Sequence, residues 1–343
     1  MRSVYRLIKL NRVLRSHRLK FLAALAAHTL GLRHLSIRLD PVMACNLRCA
    51  MCYFSNDEYA KNVKGIFTNE EMGRLAEMFF PEALLVVIGC GTEPTLFPEF
   101  PKIVKLAKSH GVPNVGFTTN GQRLTAEDIE QFVRYGLDEL VISLHGVEKK
   151  TYEKFMVNAS YEVLHRTLQA VDDVKKTINS PRPQLRINYT VNNDNLYELQ
   201  HFFEVFGEYG ISAFQVRPII DFSGAFRELL SPSRRESYSH VIEKLRLECK
   251  SRGITYLANT LDTQGASGNP SSVILQAVHR RITPMEVWRE DFNWRSESYR
   301  DFCKRIRWGK HLLTSALSSL ETVAVHNKGA WGENSALYDV DLG

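Results

Sequence analysis

Short apolar runs rich in β-branched residues recur from residue 34 onward, and each is followed by a stretch in which apolar side chains return every three or four positions. The runs predict strands at His34 to Asp40, Leu84 to Gly89, Asn114 to Thr119, Glu139 to His145, Gln184 to Val191 and Ala213 to Pro218. The stretches between them predict helices at Asn69 to Phe80, Glu99 to His110, Ala126 to Tyr135, Ser160 to Thr177 and Asn195 to Tyr209. Thr68 ahead of Glu70 and Glu71, and Thr125 ahead of Glu127 and Asp128, place capping hydroxyls before two of these helices. Six β-α units with short connections predict a parallel sheet covered by helices. The expected fold class is α/β, as an open or partial (β/α)6 barrel of the TIM type. Chemistry in such folds gathers at the C-terminal strand ends.

Two flanking regions depart from this rhythm. Residues 3 to 27 read as one basic amphipathic helix, with Leu7, Leu10, Leu14, Phe21 and Leu25 on a stripe and Arg2, Arg6, Lys9 and Lys20 opposite, interrupted by Arg15 and Arg18. The preferred reading is a cap docked on the barrel by its apolar stripe. Peripheral contact with an anionic membrane or an acidic partner is the other. Beyond residue 226 the chain predicts a charged helix from Arg234 to Arg252, a loop rich in Gly, Ser and Asn from Thr263 to Ser272, and a helical segment from Pro284 to Leu320 rich in aromatic and basic residues. The expected organisation is an N-terminal helix at 1–30, a core barrel at 31–225 and a mainly helical extension at 226–343. That extension, with the tail from Trp331 to Gly343, would close the barrel or select the substrate.

With 343 residues, 44% of them hydrophobic, the chain can bury a core of barrel size. The net charge of +6 is unevenly placed: the first 39 residues hold nine Lys or Arg and no acid. No apolar run reaches the ~18 residues of a membrane span, and the longest, Phe21 to Leu32, contains His28 and Thr29. Ala24-Leu25-Ala26 has the look of a signal-cleavage site, but the charged stretch before it is too long for a signal peptide. A cytoplasmic location is expected. Of the six cysteines, Cys45, Cys49 and Cys52 fall within eight positions, while Cys90, Cys249 and Cys303 lie far apart. This spacing predicts a metal site in a reducing compartment, not a disulfide framework.

The three clustered cysteines follow the first predicted strand with Cys-x3-Cys-x2-Cys spacing, so one loop can turn three sulfurs toward a single centre. Soft thiolates select zinc or iron–sulfur clusters. A structural zinc site wants a fourth ligand, normally from a second pair, and the chain has no such pair. Three ligands leave one metal position open to a substrate. After the second strand comes Gly89-Cys90-Gly91-Thr92-Glu93-Pro94-Thr95-Leu96, where glycine lets backbone approach a ligand and Pro94 stiffens the turn. The third strand ends in Thr119-Asn120-Gly121 and the fourth in Ser143-Leu144-His145. On the fifth strand Arg186, Asn188 and Thr190 share one face, and Gln215 and Arg217 continue it on the sixth. Each of these could equally be a buried hydrogen-bonding residue of a barrel.

Taken with the cysteine spacing, residues 34 to 220 resemble the radical S-adenosylmethionine (radical SAM) superfamily. The resemblance implies a [4Fe-4S] cluster on Cys45, Cys49 and Cys52, with S-adenosylmethionine chelating the remaining iron. Gly91, Thr92, Glu93 and Pro94 are similar to the family's Gly-Gly-Glu-Pro motif, which holds the methionine amino group; Thr92 replaces the second glycine. Asn120, Ser143 and Asn188 fall at further cofactor-binding positions. Met51 stands where the family usually has an aromatic residue, with Tyr53 nearby. No arginine follows the fourth strand, where relatives hold the methionine carboxylate; Lys154-Phe155-Met156-Val157 occupies that region.

The resemblance further implies an enzyme that cleaves S-adenosylmethionine reductively and abstracts hydrogen from its substrate. A flavodoxin-like or ferredoxin-like protein would be the one-electron partner. A peptide, a lipid precursor or another natural product is the expected kind of substrate. With only Cys249 and Cys303 beyond the barrel, no auxiliary cluster is expected. The competing readings are a non-catalytic iron–sulfur or zinc carrier and an RNA-modifying member of the same superfamily. No RNA-binding module is recognisable, so nucleic acid is not an expected partner.

Overall fold

The computed structural model describes residues 1–219, 232–258, 270–326 and 339–342. Two N-terminal helices, α1 (Arg2–Val13) and α2 (His17–Thr29), precede the first strand. One continuous helix was expected there. The chain instead turns at Leu14 and Ser16, which are extended, and Ser16 caps the second helix by accepting from Leu19 N.

The six expected strands form close to their expected bounds: β1 (Leu35–Leu39), β2 (Ala83–Ile88), β3 (Asn114–Thr119), β4 (Glu139–Leu144), β5 (Gln184–Val191) and β6 (Ile211–Pro218). Between them lie α3 (Asp57–Asn62), α4 (Asn69–Phe79), α5 (Pro101–Ser109), α6 (Ala126–Tyr135), α7 (Lys149–Phe155), α8 (Tyr161–Ile178) and α9 (Phe202–Phe206). Thr68 and Thr125 both close capping boxes, with Glu71 and Asp128. The helix expected from Asn195 is shorter. Asn195 is fully buried and spends its amide on the carbonyls of His145 and Thr190, both at 2.9 Å, and a 3-10 turn leads into α9.

The C-terminal extension contributes strands as well as helices. After α10 (Pro232–Ser251) comes β7 (Thr255–Ala258), and α11 (Pro270–Val278) leads into β8 (His279–Thr283) and β9 (Glu286–Val287). Helices α12 (Tyr299–Arg305), α13 (Trp308–Leu317) and α14 (Leu320–His326) follow, and β10 (Asp339–Asp341) ends the described chain. Most of the loop expected at Thr263 to Ser272, and most of the tail from Trp331, lie outside the described residues.

The sheet runs β10-β7-β6-β5-β4-β3-β2-β1-β8-β9. The eight central strands are parallel, so the expected six-stranded barrel is widened by β7 beside β6 and β8 beside β1. The outermost strands β9 and β10 pair antiparallel and leave the barrel open. Outward-facing side chains pack under the helices; Phe100, Phe117 and Phe132 stack with ring centroids 4.7 to 5.8 Å apart, each contact worth about 1 kcal/mol beyond burial. At the floor, Tyr5 of α1 reaches Glu139, and Arg186 lies 3.2 Å from the same carboxylate. No described helix is long and apolar enough to cross a membrane.

Candidate active site at the strand mouth

The cysteine loop springs from the end of β1 and is tied down on three sides. Met43 N donates to Gly65 O at 2.8 Å, and Glu93 N donates to Ala44 O at 3.0 Å. Arg48 N and Ala50 N donate to the carbonyls of Val157 and Phe155, at 3.1 and 2.9 Å. The segment after α7 thus clamps the loop over the mouth. Met51 packs with Phe155 and Ile219 in a small buried cluster. All three thiols are free and half-buried, and Leu47 N points at Cys45 Sγ from 3.4 Å.

Asp40, the residue after β1, organises the neighbouring loop. It is 1% exposed, and its Oδ1 accepts from Cys90 N at 2.7 Å, Gly91 N at 3.0 Å and Thr92 Oγ1 at 3.2 Å. Sequence reasoning assigned it no role, since its three donors lie 50 to 52 residues further along the chain. Gly89 adopts φ +79°, and a Cβ there would lie 2.3 Å from Thr118 O, so glycine is required. At Gly91 a Cβ would come within 2.6 Å of the Tyr53 hydroxyl, which donates to the Gly91 carbonyl.

Glu93 faces inward. Its carboxylate accepts from Thr95 N (3.2 Å), Thr95 Oγ1 (2.6 Å), Thr119 Oγ1 (2.6 Å) and Asn120 N (2.8 Å). Pro94 begins the 3-10 turn beside it. Asn120 Nδ2 then donates to Asn46 Oδ1 at 2.9 Å, so the ends of β2 and β3 and the cysteine loop form one hydrogen-bonded unit. Ser143, Asn188 and Gln215 sit level with one another across β4, β5 and β6. Asn188 Oδ1 is buried and has no hydrogen-bond partner. His145 is 8% exposed with an unpaired Nδ1, and burial lowers its pKa to about 3, so the ring is neutral.

The candidate cations fall in different places. Arg186 points to the barrel floor and Glu139, not to a ligand at the mouth. Lys154 pairs with Asp194 at 2.8 Å on the surface. Arg217 is exposed at the end of β6, donates to Thr190 Oγ1 at 3.3 Å, and its positive charge favours the thiolate form of Cys52. On the other side β8 sets Arg281 beside Arg38 of β1, a pair that the sequence did not reveal.

The donor set suits an iron–sulfur cluster. Burial lifts the Cys45 thiol to about 11 and raises Cys49 and Cys52, and the charges of the other two thiols push Cys49 higher still. A cationic centre would relieve both effects by taking the thiolates and releasing their protons. Among the described residues no three His, Cys, Asp or Glu side chains are drawn together tightly enough for a single ion. A four-iron cube is a larger object, gripped by thiolates further apart. The unpaired Asn188 Oδ1 adds a ready hydrogen-bond acceptor in the same mouth.

Residues 41–181 match the radical SAM superfamily model. That stretch carries the chain's likeness to radical SAM proteins. Radical SAM proteins use a [4Fe-4S] cluster and S-adenosylmethionine, in keeping with the thiols and the polar mouth. Among curated proteins, a probable GTP 3′,8-cyclase of Sulfolobus acidocaldarius is 26% identical over 159 residues, covering 46% of this chain and 48% of that protein. One of Thermococcus kodakarensis is 25% identical over 167 residues, covering 49% and 52%. The chain spans about half the length of the curated relatives it matches. Among solved structures, Streptococcus suis SuiB bound to S-adenosylmethionine has a TM-score of 0.55 at 17% identity, over 70% of this chain and 53% of that one. Methylornithine synthase (PylB) has a TM-score of 0.50 at 14% identity, over 89% and 91%. These likenesses show the fold, a partial TIM-type barrel.

Proposed function

We propose that the chain is a radical SAM enzyme in which Cys45, Cys49 and Cys52 hold a single [4Fe-4S] cluster and the strand mouth binds S-adenosylmethionine. The observation that carries this reading is the convergence of the cysteine loop with the ends of β2 and β3, joined through Glu93 N to Ala44 O and Asn120 to Asn46. Held by Cys45, Cys49 and Cys52, the cluster would supply one-electron reductive cleavage of S-adenosylmethionine.

The chain's own residues position that chemistry. Asp40 shapes the Cys90–Thr92 backbone so that the Gly91 and Thr92 carbonyls can take an ammonium group. Glu93, Pro94 and Asn120 act by holding the cysteine loop against that backbone. Asn188 accepts from a ribose hydroxyl, Ser143 lies level with it, and Arg217 is the cation assigned to the methionine carboxylate. The partner is a one-electron reductant of the flavodoxin or ferredoxin kind. The substrate, a peptide, lipid precursor or other natural product, enters beside the 226–343 extension, whose β7 and β8 flank the mouth.

Anaerobically reconstituted protein treated with dithionite should convert S-adenosylmethionine to 5′-deoxyadenosine, and alanine at any of the three cysteines should abolish this. Cluster-loaded protein that neither binds nor cleaves S-adenosylmethionine would point instead to an electron carrier or scaffold.

A further inference from the structure

The fold packs the stripe residues Phe21 and Leu25 of α2 against the core but leaves Leu7 and Leu10 of α1 outside. α1 docks through Val4 and Tyr5, with Tyr5 reaching into the barrel floor. Its Leu7, Leu10 and Val13 stay in solvent, 46, 58 and 71% exposed. α2 docks through Phe21 and Ala24, and its Leu19 and Leu22 remain 53 and 43% exposed. The docked cap expected from the stripe therefore forms, but with the wrong side of α1 inward.

Contacts join the helices that carry these side chains. Lys20 Nζ donates to Asn11 O at 2.6 Å, which folds the end of α1 onto the start of α2. α13 runs beside α2 in the opposite sense: Leu25 lies against Gly309, and His17 Nε2 is 3.1 Å from Ser318 O. The free end of α13, with Leu313 and Leu317 at 42 and 71% exposure, is thus brought to the same corner. Lys9, Arg15 and Arg18 on the same N-terminal segment are exposed as well, and the first 39 residues contain no acid.

We propose that α1, the start of α2 and the end of α13 form a surface that docks the protein onto an anionic lipid bilayer without crossing it. Aliphatic and basic side chains exposed on the same surface helices suit the headgroup boundary, where the aliphatic ones enter the acyl edge and the cations meet lipid phosphates. An acidic protein partner is disfavoured by the residue types. Protein interfaces draw their binding energy largely from Trp, Tyr and Arg anchors in pockets, with leucine under-represented, and this surface has arginines but no exposed Trp or Tyr. The corner offers leucines and a valine. This inference is independent of the radical SAM reading.

The test is co-sedimentation of the full chain with vesicles of phosphatidylcholine alone and of phosphatidylcholine mixed with phosphatidylglycerol, at low and high salt. The expected result is binding to the anionic vesicles only, weakened by salt. Arg15→Gln with Arg18→Gln should reduce partitioning about 25-fold, at roughly fivefold per cation. Leu10→Glu with Leu317→Glu should reduce it at least about tenfold. Circular dichroism of these exposed-site variants should match the parent. Absence of binding to anionic vesicles, or binding unchanged in both variants, would overturn the proposal. So would tighter capture by polyglutamate that the leucine variants leave intact, since that marks an acidic protein partner.

Discussion

Replacing Asp40 separates the role of its charge from that of its shape. Asp40→Ala removes the acceptor for two backbone N–H groups and one hydroxyl, on a side chain that is 1% exposed. Hydrogen bonds to a charged group contribute roughly 1.5 to 3 kcal/mol each, and the half-exposed loop lets water recover part of that, so a loss of about 3 to 5 kcal/mol is expected. Asp40→Asn can keep its carbonyl oxygen toward all three donors and gives up only the charge, a loss of about 1 kcal/mol. Anaerobic urea unfolding measures both, and calorimetric titration with S-adenosylmethionine measures the consequence at the site. The alanine variant should lose at least about tenfold in affinity and the asparagine variant less than about threefold, because only the former releases the Gly91 backbone. An alanine variant that unfolds at the parent's midpoint, or two variants that behave alike, would rule out this role for Asp40.

Asn188→Leu should leave stability unchanged or slightly higher, because the buried Oδ1 has no partner to lose, while weakening S-adenosylmethionine binding about fivefold or more by calorimetry. Tyr5→Phe should cost about 1 to 2 kcal/mol in urea unfolding, since Glu139 at the floor then keeps Arg186 but loses the phenol. His145 contributes a pH dependence of known sign. Its folded pKa of about 3 lies below the unfolded value near 6.5, so the unfolded chain binds the extra proton and stability falls as pH drops between those values. The slope is about 1.4 kcal/mol per pH unit, and denaturation curves for His145→Gln should lack that increment.

Much of the barrel was legible because β1 to β6 are apolar or regularly alternating runs bounded by caps and turns that local chemistry dictates. The cysteine loop and the Gly89–Leu96 loop were legible for the same reason: their residue types are tied to short, local spacings. What stayed hidden depends on distant partners. β8 reads His279-Arg280-Arg281-Ile282-Thr283, with one aliphatic residue in five, and becomes a strand only because β1 offers it an edge. β7 has four residues, all buried, too few to show a period. The stripe on α1 misled because Tyr5 found a buried polar partner in Glu139, 134 positions away, and that contact turned the helix over. For Arg186 the sequence allows either a ligand contact or a buried hydrogen-bonding role, because alternation gives the face of a strand side chain but not its height in the barrel; Glu139 settles it at the floor. Asp40 passed unnoticed because its three donors lie 50 to 52 residues further along.

Three thiolates presenting a cluster to S-adenosylmethionine are the core of the proposed function, and electron paramagnetic resonance of the reduced, anaerobically reconstituted protein probes that arrangement most directly. Adding S-adenosylmethionine should change the cluster's spectrum, and the cluster signal should vanish when Cys45, Cys49 or Cys52 is replaced by alanine. A spectrum that stays the same at saturating S-adenosylmethionine, or protein that retains the signal without one of these cysteines, would contradict it.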